Sequence, residues 1–218
     1  MLVAAAVGVT VLGAARWTEE RHAAVAAAGD VFTVVVDAGH GGFDGGAVGT
    51  ETGVKEDGLN LAVASLVRDR LEKAGVRVVM TRTDGGALGR DKKSDLAERK
   101  RIFHDEHADL VVSIHMNMFT DPDISGPMAY YMQGSAEGQK LAQTVIDCLS
   151  DALGRNRRLA NPGDYFVVRE CDCPAVLVEC GFLSNAADER LLQTEAHRVT
   201  LADAISEGIL DYAGKISA

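Results

Sequence analysis

The chain has 218 residues, of which 47% are hydrophobic and 25% charged, a composition typical of one globular domain with a buried core. Its formal net charge is −10. Binding to nucleic acid depends on basic side chains that replace the counterions of the phosphates, so we expect no nucleic-acid partner. The four cysteines form no C-x-x-C pair, which disfavours a zinc ribbon or a thioredoxin motif.

The first 29 residues differ in composition from the rest of the chain. Residues 2–15 are continuously apolar or small, but this run is shorter than the roughly 17–25 residues that a membrane-spanning helix needs. It also lacks the basic segment that precedes the apolar core of a signal peptide. We expect residues 1–29 to be an export or anchoring segment with a linker, which allows membrane association of the N-terminus. A packed terminal helix is the alternative.

Residues 31–49 predict a buried strand that ends in a glycine-rich loop. The strand is a run of mostly β-branched residues up to Val36, and the loop DAGHGG follows directly, with His40 in it. A dinucleotide-binding loop needs the pattern G-x-G-x-x-G, and Asp44 here takes the place of the third glycine. Nucleotide binding is therefore disfavoured. Because histidine is a common zinc ligand, a metal site is the stronger hypothesis for this loop.

Strand and helix patterns alternate along the rest of the chain. Apolar residues at helical spacing follow Glu56, and apolar runs predict further strands. We predict strands at residues 76–80, 109–114, 127–132 (an edge strand), 164–169 and 174–178. We predict helices at residues 59–74, 95–107 (with Ser94 as N-cap), 135–153 and 195–216. This order predicts fold class α/β, with residues 30–218 as a single domain whose mostly parallel or mixed sheet carries helices on both faces.

Four side chains suited to metal binding or proton transfer stand at expected strand ends or helix starts. They are His40, Glu56, His115 and Glu179. Two histidines and one carboxylate are a common ligand set of catalytic zinc, which leaves the fourth position for water. The remaining carboxylate would then be the general acid and base. From the residues alone, which carboxylate stays unligated is open.

Several motifs occur in an order that resembles one enzyme family. They are VVVDAGHGGFDGGAVG, Lys55-Glu56 before an amphipathic helix, TRTD (residues 81–84), VVSIHMN and PAVLVECGFLSN. Together, over residues 31–213, they resemble the zinc-dependent N-acetylmuramoyl-L-alanine amidases of the amidase type 3 family. The resemblance implies that residues 30–218 are a catalytic amidase domain. It also implies hydrolysis of the amide between the lactyl group of N-acetylmuramic acid and the L-alanine of the peptidoglycan stem peptide.

The resemblance also implies roles for the four side chains. His40, Glu56 and His115 would bind Zn²⁺, and Glu179 would be the catalytic carboxylate. A ligand histidine usually needs a hydrogen-bonding partner that orients it, and Asp37 and Asn117 are candidates for that role.

Location and partners follow from the same family. We expect an exported protein that acts on peptidoglycan in the cell wall or the spore cortex, and an activating partner protein is compatible with this. The segment between Asn117 and Pro127 is too short for the autoinhibitory helix that some relatives insert there, and no wall-binding repeats are present. These features resemble the germination-specific branch of the family, which acts in muramic-lactam formation in the spore cortex.

Three alternatives remain open on the residues alone. The same zinc ligands would serve a peptidase of cell-wall peptides. A non-catalytic peptidoglycan-binding module could have the same fold, although the presence of all four side chains disfavours it. A cysteine redox protein would depend only on Cys171 and Cys173.

Overall fold

The structure, a computed structural model, describes residues 32–216. That range contains six strands and six helices, which alternate except that β4 follows β3 and α6 follows α5 directly. The strands are β1 (Thr33–Ala38), β2 (Arg77–Met80), β3 (Leu110–Asn117), β4 (Met128–Met132), β5 (Asn161–Gly163) and β6 (Ala175–Phe182). The helices are α1 (Glu56–Lys73), α2 (Lys92–Asp105), α3 (Ala136–Ala152), α4 (Phe166–Arg169), α5 (Ala186–Leu192) and α6 (Glu195–Ile216). The expected export or anchoring segment, residues 1–29, lies outside the described residues.

The strands form one mixed sheet in the order β2-β1-β3-β6-β4-β5. Strands β2, β1, β3 and β6 are parallel to one another, whereas β4 is antiparallel to β6 and parallel to β5. The carboxyl ends of β1, β3 and β6 therefore meet at one edge of the sheet. In open α/β sheets this edge is where ligands bind.

Helices cover both faces of the sheet, but not equally. The first face, which we call the core face, is packed by α1, α3 and α6. Its fully buried side chains include Val36, Val63, Ile114, Leu149 and Ile205. Burial of such a side chain stabilises the fold by about 1.5–3 kcal/mol. The opposite face, the site face, has a smaller apolar cluster, to which α2 contributes Phe103 and the four-residue helix α4 contributes Val167 and Val168.

The structure confirms the α/β class with a mixed sheet and helices on both faces. The edge-strand prediction for residues 127–132 is wrong, because β5 pairs with the outer side of β4. The strand prediction for residues 164–169 is also wrong. Two adjacent valines favour a strand, but here both are buried as part of helix α4 against the site face.

Helix α2 also begins three residues earlier than predicted, nearly one full turn. Its N-cap is Asp91, whose side chain accepts a hydrogen bond from the amide of Ser94. The Ser94 hydroxyl in turn accepts from the Asp91 amide. Ser94 is therefore the third helical residue of a capping box and not the cap itself.

Candidate active site

The four predicted side chains converge at the carboxyl edge of the sheet. His40 follows β1, Glu56 is the first residue of α1, and His115 and Glu179 lie in β3 and β6. His115 and Glu179 are direct partners in the register of these two parallel strands. Because side chains alternate between the two faces of a strand, this pairing places both on the site face.

Two histidines and Glu56 form a compact group of donor atoms. One nitrogen or oxygen atom from each of His40, Glu56 and His115 lies within 4.8 Å of the others. Glu56 joins the two rings, with Oε2 3.3 Å from Nε2 of His40 and Oε1 2.9 Å from Nδ1 of His115. Imidazole nitrogens and a carboxylate are ligands that zinc prefers. The donor set therefore fits a divalent metal ion of this kind.

Charge in this group favours a cation. Burial raises the pKa of Glu56, but hydrogen bonds from His115 and His40 outweigh that effect and hold it far below its ordinary value. Burial alone would lower the pKa of His40, whereas Glu56 and Asp44 raise it to about 9. Donor atoms that attract protons in this way are also suited to a metal ion, which would replace those protons on binding.

Two glycines make room for the ligand side chains. A Cβ atom at Gly39 would overlap the imidazole ring of His115, and one at Gly46 would overlap the carboxylate of Glu56. Gly46 also has a φ of 66°, a conformation that costs glycine little. The glycine-rich loop therefore lets the proposed ligands approach one another, which differs from the phosphate-binding use of such loops.

Asp44 orients His40. Its carboxylate oxygen lies 2.9 Å from Nδ1 of His40, which leaves Nε2 facing Glu56. Neither Asp37 nor Asn117 hydrogen-bonds to His40 or His115, so the prediction that one of them orients a ligand histidine is wrong. Asp37 accepts hydrogen bonds from neighbouring side chains beneath the site, and the carbonyl oxygen of the Asn117 side chain accepts from the amide of Met118. The one sequence feature that could have identified Asp44 as the partner of His40 is its position, four residues later, where a dinucleotide-binding loop would have glycine.

Glu179 is held differently from Glu56. It is 8% exposed, and its Oε2 atom has no hydrogen-bond partner in the described part of the chain. Burial raises the pKa of Glu179 to about 7. A buried carboxyl group with a free oxygen and a pKa near neutrality is suited to accept and return a proton.

A groove leads away from this group along the site face. It contains a cavity of about 290 Å³ that reaches from His40 and His115 to the start of α4. Its wall is largely apolar, with Leu96 from α2, Phe166 and Val167 from α4, and Leu177 from β6. Lys92 also lines it. The groove therefore offers an apolar binding surface next to the proposed reaction centre.

The cysteines lie outside this group of side chains. Cys171 and Cys173 form a disulfide in the connection between α4 and β6. Cys180 is buried next to Glu179, and burial raises the pKa of its thiol. Reactive cysteines instead have a lowered pKa and access to solvent. The thiol of Cys180 is thus unsuited to nucleophilic or redox chemistry.

Fold and site together define a class: an α/β domain whose donor set suits a metal ion and whose second carboxylate suits proton transfer. Residues 34–211 match the N-acetylmuramoyl-L-alanine amidase family, Amidase_3. The chain belongs to this family, which confirms the family and the enzyme class predicted from its motifs.

Relatives in sequence and in structure agree with this assignment. The chain is 35% identical over 188 residues to the germination-specific N-acetylmuramoyl-L-alanine amidase of Bacillus subtilis (strain 168), covering 82% of this chain and 78% of that protein. It resembles the structure of the CwlD amidase from Clostridioides difficile in complex with the GerS lipoprotein, with a TM-score of 0.80, 31% identity, and coverage of 83% of this chain and 98% of the other. The catalytic domain of CwlV from Bacillus (Paenibacillus) polymyxa gives a TM-score of 0.76 and 34% identity, with coverage of 84% and 98%.

Helices within residues 32–216 are all too short or too polar to cross a membrane.

Proposed function

We propose that the protein uses Zn²⁺ to hydrolyse the amide between the lactyl group of N-acetylmuramic acid and the L-alanine of the peptidoglycan stem peptide. His40, Glu56 and His115 would hold the ion. When bound, zinc supplies a Lewis acid that polarises a carbonyl group and lowers the pKa of water. The family match and the convergence of three suitable donor atoms support this proposal.

Glu179 is the proposed catalytic residue. Its free Oε2 atom takes a proton from the attacking water, and the same carboxyl group then gives the proton to the departing alanine nitrogen. The observation that carries this role is a buried carboxylate oxygen, next to the three proposed ligands, that has no hydrogen-bond partner among residues 32–216. Leaving such a group unpaired costs free energy of folding. Locally unfavourable arrangements of this kind are common at reaction centres.

Digestion of purified peptidoglycan tests the bond that is cut. We expect the zinc-loaded protein to release stem peptides that begin with L-alanine and to leave muramic acid with a free lactyl carboxylate, both identified by mass spectrometry. Protein treated with a chelator should release neither until zinc is restored. Muramic acid still acylated to alanine would indicate the alternative, a peptidase. Stoichiometric zinc without cleavage of any bond under any condition, including addition of a partner protein, would indicate a non-catalytic binding module.

We further infer that the substrate is spore-cortex peptidoglycan and that the protein acts outside the cytoplasm. The similarity to a germination-specific amidase supports both inferences. In this scheme residues 30–218 are the catalytic domain and residues 1–29 are an export or anchoring segment with a linker. Faster release of stem peptide from cortex peptidoglycan than from vegetative walls is expected. Equal rates on the two substrates would contradict the cortex assignment.

An activating partner protein is also proposed, because the related CwlD amidase was solved in complex with the GerS lipoprotein. Purified protein alone should then cut more slowly than protein supplemented with an extract of sporulating cells. Full activity of the isolated protein, unchanged by such an extract, would contradict this inference.

A further inference from the structure

Arg82, in the TRTD motif, is buried beneath the site without a role in the proposed chemistry. It is 4% exposed, and its guanidinium group donates to four backbone carbonyl oxygens. These are Ala38 O at 2.9 Å, Gly39 O at 2.9 Å, Asp57 O at 2.7 Å and Asp84 O at 2.8 Å. One side chain thus joins three separate stretches of backbone.

Two of these three stretches carry proposed metal ligands. Gly39 immediately precedes His40, and Asp57 immediately follows Glu56. A single nitrogen, Nη2, donates to the carbonyl groups of both Gly39 and Asp57. Arg82 therefore supplies one of the links between the His40 loop and the first turn of α1. The side chain of Asn60, which donates to Gly39 O and to Glu56 Oε1, and backbone hydrogen bonds of Glu56 and Asp57 supply others.

The neighbouring Arg99 is held in another way. Its guanidinium group pairs with the carboxylates of Asp37 and Asp95, and it also donates to the carbonyl oxygens of Ala38 and His40. Arg82, by contrast, forms no ion pair within residues 32–216. Burying a cation costs free energy unless it is well compensated, and backbone carbonyls offer only partial charges. An arginine held only by backbone carbonyl groups is therefore expected to contribute little net folding stability.

We propose that Arg82 is a positioning residue that helps to set the distance between His40 and Glu56 and so tunes the affinity and geometry of the metal site. This inference rests on the proposed metal site. The guanidinium group is planar, and its five N–H donors have fixed directions. Lysine has a single rotatable ammonium group and cannot bridge the same carbonyl groups in the same geometry.

Metal binding by purified variants tests the proposal. Arg82→Lys keeps the charge and Arg82→Met removes it. For both we expect the Zn²⁺ dissociation constant, from competition with a chromophoric chelator, to rise about 10- to 100-fold, as is usual when support of metal ligands is lost. The visible absorption spectrum of the Co²⁺-substituted protein should change as well, because it reports ligand geometry.

Leu149→Ala is the matched control. Leu149 is fully buried on the core face, so its truncation lowers the thermal midpoint without touching the site. We expect its Zn²⁺ affinity and Co²⁺ spectrum to equal those of the wild type. A change in either of these for Leu149→Ala would mean that general destabilisation is enough to alter the site, and the proposal would fail.

The remaining outcomes are also decisive. Wild-type affinity and spectrum in folded Arg82→Met, with only a lower thermal midpoint, would assign Arg82 to stability and overturn the proposal. If Arg82→Met does not fold, Arg82→Lys is judged by the same criterion, and failure of both to fold would likewise overturn it. Absence of zinc binding by the wild type would instead refute the proposed function.

Discussion

The two faces of the sheet are stabilised by different interactions. On the core face, three long helices bury aliphatic side chains, and shape and volume decide the stability. On the site face, one helix and a single helical turn cover the sheet, and buried charges lie between them and the strands. The incomplete cover leaves the carboxyl edge open to a groove. The candidate site thus lies on the face with fewer helices, and a network of buried charges stabilises that face.

Asp37 is the centre of the buried charge network on the site face. It is fully buried and accepts hydrogen bonds from Thr81, Arg99 and Ser113. Burial alone would raise its pKa, but the charge of Arg99 and the hydrogen bond from Ser113 lower it below the ordinary 3.8. The network under the site is therefore ionised at neutral pH.

We expect the largest effect from Glu179→Gln, which tests whether turnover at the site face can be lost without a loss of folding stability. We expect kcat on a muropeptide substrate to fall by about 10²–10⁴-fold, because proton transfer is lost, while the zinc content stays at the wild-type level. The free energy of unfolding in urea should not fall, since Oε2 has no partner to lose. Near-wild-type turnover would remove Glu179 from the mechanism. Glu207→Gln, at an exposed position of α6, serves as the control.

Asp37→Asn would break the charge network. It leaves Arg99 with one carboxylate partner, Asp95, so we expect a loss of about 3–5 kcal/mol in the free energy of unfolding, measured in urea. Asp151→Asn, which removes an exposed ion pair with Arg157, should cost no more than about 1 kcal/mol. Equal losses in the two variants would show that the buried ion pair contributes no more to the free energy of unfolding than the exposed one.

Acid unfolding follows from the same residue. A carboxyl group whose pKa is lowered by folding stabilises the protein above its unfolded pKa of 3.8, and this contribution is lost as the pH falls through the folded pKa. Below about pH 4 the wild type should therefore lose stability more steeply than Asp37→Asn. Identical slopes would contradict the ionised state of Asp37.

Leu149→Ala tests the core face. We expect a loss of about 2–5 kcal/mol in the free energy of unfolding, because a cavity remains between α3 and the sheet. The ratio kcat/KM, measured well below the unfolding temperature, should match that of the wild type. A proportionate loss of activity would mean that the two faces are not independent.

Asp44→Asn should have the smallest effect, limited to the metal site. Because Asp44 contacts Nδ1 of His40, we expect zinc affinity to fall by about 10- to 100-fold, a free-energy change of roughly 1.4–2.7 kcal/mol. Stability of the metal-free protein should change little. Asp164→Asn, at an exposed carboxylate of the same groove that pairs with Arg169, is the control and should bind zinc normally. Equal affinities in both variants would dismiss Asp44 as a support for His40.

Positions that depend on strand direction could be predicted from the chain. His40, His115 and Glu179 each follow or end a run of apolar residues, and parallel strands bring such positions to one edge. Glu56 was less distinctive, because an acidic residue is ordinary at a helix start. The partner of His40 was missed, since a contact within the loop depends on the left-handed backbone of residues 40–42, which no periodicity reveals.

The α/β class could be predicted from apolar periodicity, and the family from the resemblance of its motifs. Positions at strand ends and at a helix start likewise predicted one edge of the sheet for the four side chains. The burial of Arg82 and Arg99 beneath the site, the helix at residues 166–169 and the contact between Asp44 and His40 follow instead from tertiary packing. An arginine in a sequence has the same letter whether it faces solvent or binds buried carbonyl groups. Its partners come from segments far apart along the chain, so its role follows from packing.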